Sequence, residues 1–237
     1  MTAPTYTPVV VCDDRLAMVQ GVHLTSGKGR GIVPNDPAQC HVCIEQLANA
    51  VACAMENDQL VPHYTLDRLN QLSDDNPSVC RVIRALRIAV NDRCPDALRD
   101  ELLWPTLVPA FNTRGSVALT RRRMFRTVDW TIREILPLAF DAAKLTGEAA
   151  ELRALAVITD AGTARAANDV VMHVRKAAYA AADAAAAAYA AAYADAYAAA
   201  DAYAAAAARA NIWLRVTPLI LELCAMREDD ALTGGGK

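Results

Sequence analysis

The chain has 237 residues, 54% of them hydrophobic but only 5% aromatic, and a formal net charge of −3. That length suits one large domain or two small ones with enough chain for a real core. The slightly acidic balance excludes a whole-chain field that would draw the protein onto nucleic acid or anionic membrane.

At the N-terminus, "MTAPTYTPVVVCDDR" has no basic start and only a short apolar run, so no signal peptide is expected and a cytoplasmic location is. The seven cysteines are Cys12, Cys40, Cys43, Cys53, Cys80, Cys94 and Cys224. Their odd number and apolar, helix-like settings point to reduced core thiols rather than a disulfide framework. Residues 1–36 are the least regular part. "TYTPVVVC" reads as a short strand and "LTSGKGRGIVPNDP" as a loop.

From residue 37 the pattern turns helical. "PAQCHVCIEQLANAVACAMEN" places Cys40, Cys43 or Ile44, Leu47, Val51 and Met55 on one stripe. "YTLDRLNQL" reads as a short helix with Leu66, Leu69 and Leu72 inward. "NPSVCRVIRALRIAVNDRCPD" offers Asn76 as a cap and Pro77 in the first turn. Val79, Val82, Ile83, Leu86 and Val90 form its apolar face, with Arg81, Arg84 and Arg87 off it. "PDALRDELLWPTLVPAF" is a helix stopped by Pro105 and Pro109. Ser116 can then cap a long helix, "VALTRRRMFRTVDWTIREILPLAFDAAKL", with Phe125, Val128, Ile132, Ile135 and Leu136 inward and a kink at Pro137. "TGEAAELRALAVI" is a shorter helix opened by Thr146.

The last large element starts near Thr163 or Arg165. No Gly or Pro interrupts it until Asn211. As one helix that stretch is about 70 Å long, and a helical hairpin is the alternative. Thr217-Pro218 breaks the pattern before a final short helix, "PLILELCAMRE", and "LTGGGK" is a tail. The expected fold class is all-α, a multi-helix bundle or irregular helical array with at most one minor strand pair. The expected division is an irregular segment 1–36 and a helical domain 37–160. A long Ala-rich helix with a short C-terminal helix packed on it (161–230) and a flexible tail 231–237 complete it.

Within residues 177–210, 25 of 34 are Ala. Ala is the best helix former, so propensity alone favours helix here. A membrane span is not expected, because Asp183, Asp195 and Asp201 would each cost about 2.5–3.5 kcal/mol near a bilayer midplane. "WLRVTPLILELCAM" is too short to span and carries Arg215 and Glu222. On a helical wheel Tyr179, Tyr189, Tyr193, Tyr197 and Tyr203 fall within an arc of about 120°. Asp183 and Asp201 flank that arc, and Asp195 lies opposite. The helix therefore has a smooth Ala face and a ridge of phenols. The ridge suits either the core of a bundle or an interaction face built from Tyr189, Tyr193, Tyr197, Tyr203 and Asp201.

The tandem "AAYAAAYADAYAAADAYAAA" resembles alanine-rich hypothetical proteins of actinobacteria and their phages, some of them labelled as immunity proteins. "RVIRALRIAVNDRCPDALRDELLWP" and "TRGSVALTRRRMFRTVDWTIREILPLAFDAAKL" look like the domain preceding such tails, so the resemblance covers about residues 78–210. It implies an intracellular helical protein without established catalytic residues, and no functional residue is carried over from it.

Three clusters could carry chemistry. Cys12, His23, Cys40 and Cys43 could together hold zinc, although the CxxC sits in a helical pattern and no second CxxC follows. "TSGKGRG" (25–31) lacks the spacing of a phosphate loop and reads better as a flexible basic turn. Arg121, Arg122, Arg126, Trp130 and Arg133 form a basic patch in which Arg and Trp interleave. It could grip phosphates or an acidic partner, or pair with Asp129, Glu134 and the Asp residues of the Ala helix. His23, His41, His63 and His173 sit in no recognisable catalytic motif, so an enzyme is not expected. The expectation is a non-enzymatic protein that acts by contact with a protein partner or by self-association, in an immunity-like, inhibitory or phage host-interaction role. The alternatives are a nucleic-acid-binding or regulatory protein using the Arg121–Arg126 cluster, and a metal protein or enzyme with a Cys/His site near the N-terminus.

Overall fold

The computed structural model describes residues 8–26, 41–56, 59–62, 75–191 and 211–231. The fold is all-α in class, a helical array with little strand. The chain forms two compact units, Met1–Thr120 with Val216–Lys237, and Arg121–Arg215. Among the described residues no helix is long and apolar enough to cross a membrane.

The first unit begins with β1 (Val9–Val11), α1 (Asp13–Met18) and β2 (His23–Leu24). β3 (His41–Val42), α2 (Ile44–Val51), β4 (Ala52–Glu56) and β5 (Gln59–Pro62) follow. β4 pairs antiparallel with β1, Val9 opposite Ala54 and Val11 opposite Ala52, and β5 completes that sheet. β2 and β3 form a separate parallel pair. Residues 1–36 thus contribute elements of their own, and the single helix expected over 37–57 is, across the described residues 41–56, strand, helix and strand. The cause is tertiary. The β-branched run Val9–Val11 offers a free edge, and residues 52–54 pair with it although their own propensity is weak. Cys43 caps α2 reciprocally with Gln46, whose Oε1 accepts the Cys43 N–H at 3.1 Å. Every residue of α2 is buried.

The β1–β4 register also corrects the reading of all cysteines as reduced thiols. Cys12 follows β1 and donates its N–H to Val51 O at 3.1 Å, which brings it diagonally beside Cys53. The two form a disulfide with a Cα–Cα distance of 6.2 Å. Cys43, Cys80, Cys94 and Cys224 are buried and form no disulfide, and burial pushes the Cys94 thiol up. Because the bridge spans a sequence separation of 41, its reduction is expected to cost up to about 4 kcal/mol in the loop-entropy account. Urea unfolding with and without dithiothreitol measures this, and an unchanged midpoint would refute it.

α3 (Arg81–Arg93) buries Ile83, Arg87, Val90 and Asn91. It starts later than Asn76, with Cys80 as its N-cap, and Asn76-Pro77 form the preceding turn. Arg87, expected off the apolar face, is fully buried, its Nη1 3.1 Å from Glu45 Oε1 of α2. α4 (Asp96–Leu103) buries Leu102 and Leu103 and ends at a 3-10 turn, Trp104–Thr106, that contains Pro105. The C-terminal helix Val216–Ala225 packs Leu219, Ile220 and Leu223 into this unit, against α3, α4 and the 3-10 turn. The Ala-rich helix had been the expected support. Thr217 Oγ1 ties it down by donating to Leu102 O at 2.7 Å.

The second unit takes up the chain within α5 (Val117–Asp129). A π-helical segment, Trp130–Ile135, separates α5 from α6 (Leu136–Ala142). This is how the expected kink is realised. Pro137 falls in the first turn of α6, where its missing N–H leaves no bond unmade, and the wider π turn absorbs the offset. α6 turns through Lys144, at φ 63°, into α7 (Thr146–Ala154). An Asp141–Arg153 ion pair bridges the two and holds the Asp141 carboxyl below its usual range. α8 (Ala161–Ala191) is one unbroken helix. It begins with Asp160 as its cap, earlier than expected. Asp160 Oδ1 accepts the Gly162 N–H at 2.7 Å and the Thr163 N–H at 2.9 Å, which lowers its pKa. Phe125, Ile158 and Ala167 form one hydrophobic cluster of this unit, with Val128, Ile132, Leu155 and Ala164 against it. The expected helix around Leu66, Leu69 and Leu72, and the run beyond Ala191, lie outside the described residues.

Candidate functional site

The basic patch is largely neutralised from within its own unit. Arg126 Nη1 lies 2.9 Å from Glu134 Oε1 and 3.5 Å from Asp129 Oδ2. Arg133 Nη1 lies 3.1 Å from Asp129 Oδ1. Asp129 is buried at the end of α5, so its charge demands these partners. Trp130, expected to interleave with the arginines on an open face, is buried instead. Arg121 is exposed and Arg122 half-buried. The i, i+4 spacings that suggested a phosphate grip serve ion pairing here.

Among the described residues the proposed zinc ligands do not converge. Cys12 is bonded to Cys53. Cys43 caps α2. His23 Nδ1 meets Asp100 Oδ2 at 2.7 Å, and the other Asp100 oxygen accepts the Leu24 N–H at 2.7 Å. Cys40 lies outside the described residues. Among the described residues no group of three or more His, Cys, Asp or Glu is placed to hold a metal ion. In "TSGKGRG" only Thr25 and Ser26 are described, and Thr25 pairs with Val42 O through its N–H.

Of the Tyr ridge, position 189 falls within the α8 backbone. Tyr193, Tyr197, Tyr203 and Asp201 lie outside the described residues. The described start of α8 nevertheless carries a surface the sequence did not single out. Met124 and Phe125 of α5 and Ala161, Ala164 and Asn168 of α8 line an open groove of about 620 Å³. Arg165 and Asp169 belong to the same lining. Met124 is 42% exposed and Met172 53%. Ala161, Arg165, Asn168 and Met172 repeat at helical spacing along one side of α8. Eighteen residues make about five turns, so the register returns position 179, where the Tyr series begins, to that same side. A methionine at 124 in an otherwise Arg-rich stretch was the one sequence signal for this groove.

No family model, curated protein or solved structure matches this chain.

Proposed function

We propose that this chain is a non-catalytic helical binding protein that works by contact with another protein, in an inhibitory or immunity-like role. The observation that carries the reading is the open, largely apolar groove between α5 and the start of α8. Small residues in its wall allow a partner helix to approach closely, and the unbranched Met124 adapts to its side chains. Arg165 and Asp169 give the lining both charges, so selectivity comes from placement rather than from net attraction.

The test uses one exposed groove residue, one exposed residue further along the same side of α8 and one exposed residue elsewhere. Met124→Glu and Met172→Glu should each weaken partner binding or self-association at least tenfold, about 1.4 kcal/mol. Val117→Glu, at a 70% exposed position outside the groove, should leave it unchanged. Affinity is read by titration with a partner captured from the native host, and self-association by sedimentation velocity. Wild-type strength in both methionine variants would overturn the reading.

A further inference from the structure

Ala161, Arg165, Asn168 and Met172 are all exposed, and they follow one another four, three and four residues apart along α8. That is the spacing of a seam along which one helix meets another. The first three also line the groove, which Met124 and Phe125 bound from α5. Met124 and Met172 add unbranched apolar side chains to this side of the unit, both of them in solvent.

Two properties make the seam complementary to itself. The first is size. Turned end over end about the level midway between Ala166 and Ala167, the four positions map onto one another in pairs. Ala161 comes level with Met172 of a second copy, and Arg165 with its Asn168. The long thioether side chain therefore meets the smallest residue of the seam, once at each end. The second property is charge. Arg165 and Asp169 are exposed members of the groove lining, and among the described residues neither makes an ion pair. In the reversed arrangement Arg165 lies only one residue, about 1.5 Å along the axis, from the level of Asp169 in the second copy. Twofold symmetry makes that contact twice. A parallel pairing would instead set Arg165 on Arg165 and Asp169 on Asp169, and like charges so placed oppose association.

We infer that the groove side of α8 is a homodimer contact, in which a second copy of this chain docks with its own α8 antiparallel. Met172 of each copy packs over Ala161 of the other, and Arg165 of each pairs with Asp169 of the other. Ala161 and Ala164 carry no bulk to hold the two helices apart. The contact uses the same patch on both copies, so it closes at two chains and leaves no free end to propagate. This inference rests on the reading of the groove as a contact surface and names what covers that surface when no other protein does.

Sedimentation velocity on the full chain, over a concentration series at low salt, reads the equilibrium. A dimer with a Kd of about 10 µM or tighter is expected. Arg165→Asp and Asp169→Arg each place like charges at both contacts and should each weaken self-association by about tenfold or more. Mixed in equal amounts, the same two variants bring opposite charges together at both contacts, so a heterodimer of wild-type strength should form. Both positions are exposed, and circular dichroism verifies that each variant keeps its helix content. A dimer that neither reversal weakens, or two weakened variants that do not recover on mixing, would overturn the inference. A wild-type chain that stays monomeric up to about 200 µM would overturn it too. In that case, weakened binding of a captured partner by Met124→Glu and Met172→Glu would leave the contact-surface reading standing, whereas wild-type binding by both would remove that reading as well.

Discussion

Replacing Arg87 with methionine is expected to destabilise the protein by about 3–5 kcal/mol, a large part of the total stability of an ordinary domain. Arg87 and Glu45 are both fully buried, with Nη1 and Oε1 3.1 Å apart. α2 carries Glu45 in a helix with no exposed residue, so the carboxylate has no route to water. Removing the guanidinium leaves that carboxylate in a low-dielectric interior without its counter-charge. The same logic makes Glu45→Leu alone costly, by stranding a cation. The double variant Glu45→Leu with Arg87→Met should recover most of the loss, because a well-packed apolar pair avoids both desolvation penalties. Urea unfolding of the four proteins gives the coupling energy directly. Additive single effects would show that the ion pair does not exist as a unit.

The same pair shows why part of the fold was legible in sequence and part was not. Helix boundaries set by local chemistry could be read. Pro105 ends α4, and Pro137 marks the break between α5 and α6. The unbroken run from Arg165 foretold α8. Arg87 looked like a surface cation because its periodicity placed it beside the apolar stripe. What buries it is Glu45, far upstream, and spacing within one helix carries no record of such a partner. The strands were missed for the same reason. Ala52–Glu56 has no strong strand signal of its own, and only pairing with Val9–Val11 makes it extended. Of the candidate sites, the zinc set failed because Cys12 is claimed by Cys53 and Cys43 by its capping role. Asn76 read as the cap of α3, whereas its oxygen accepts from Ser78 in the turn before that helix.

Asp129→Ala is expected to be the most damaging single change in the second unit, at about 3–5 kcal/mol. The side chain is buried and its Oδ1 accepts the Ile158 N–H at 2.9 Å, fastening the segment before α8 to the end of α5. The same carboxylate faces Arg133 at 3.1 Å and Arg126 at 3.5 Å. Its loss leaves a buried backbone donor unmade and takes a counter-charge from two half-buried cations. Ile158 packs with Phe125 and Ala164, and both of those line the groove. The variant should therefore loosen the groove as well as lower the unfolding midpoint. Asp129→Asn separates the two contributions. It retains an acceptor for Ile158 but lacks the charge, so a cost of about 1.5–3 kcal/mol is expected. An Asn variant as stable as wild type would assign the whole effect to the Ile158 hydrogen bond and none to the arginines. An Ala variant within about 0.5 kcal/mol of wild type would refute the role of Asp129 altogether. Hydrogen exchange at Ile158, followed in both variants, reports whether the amide has lost its partner before the unit as a whole unfolds.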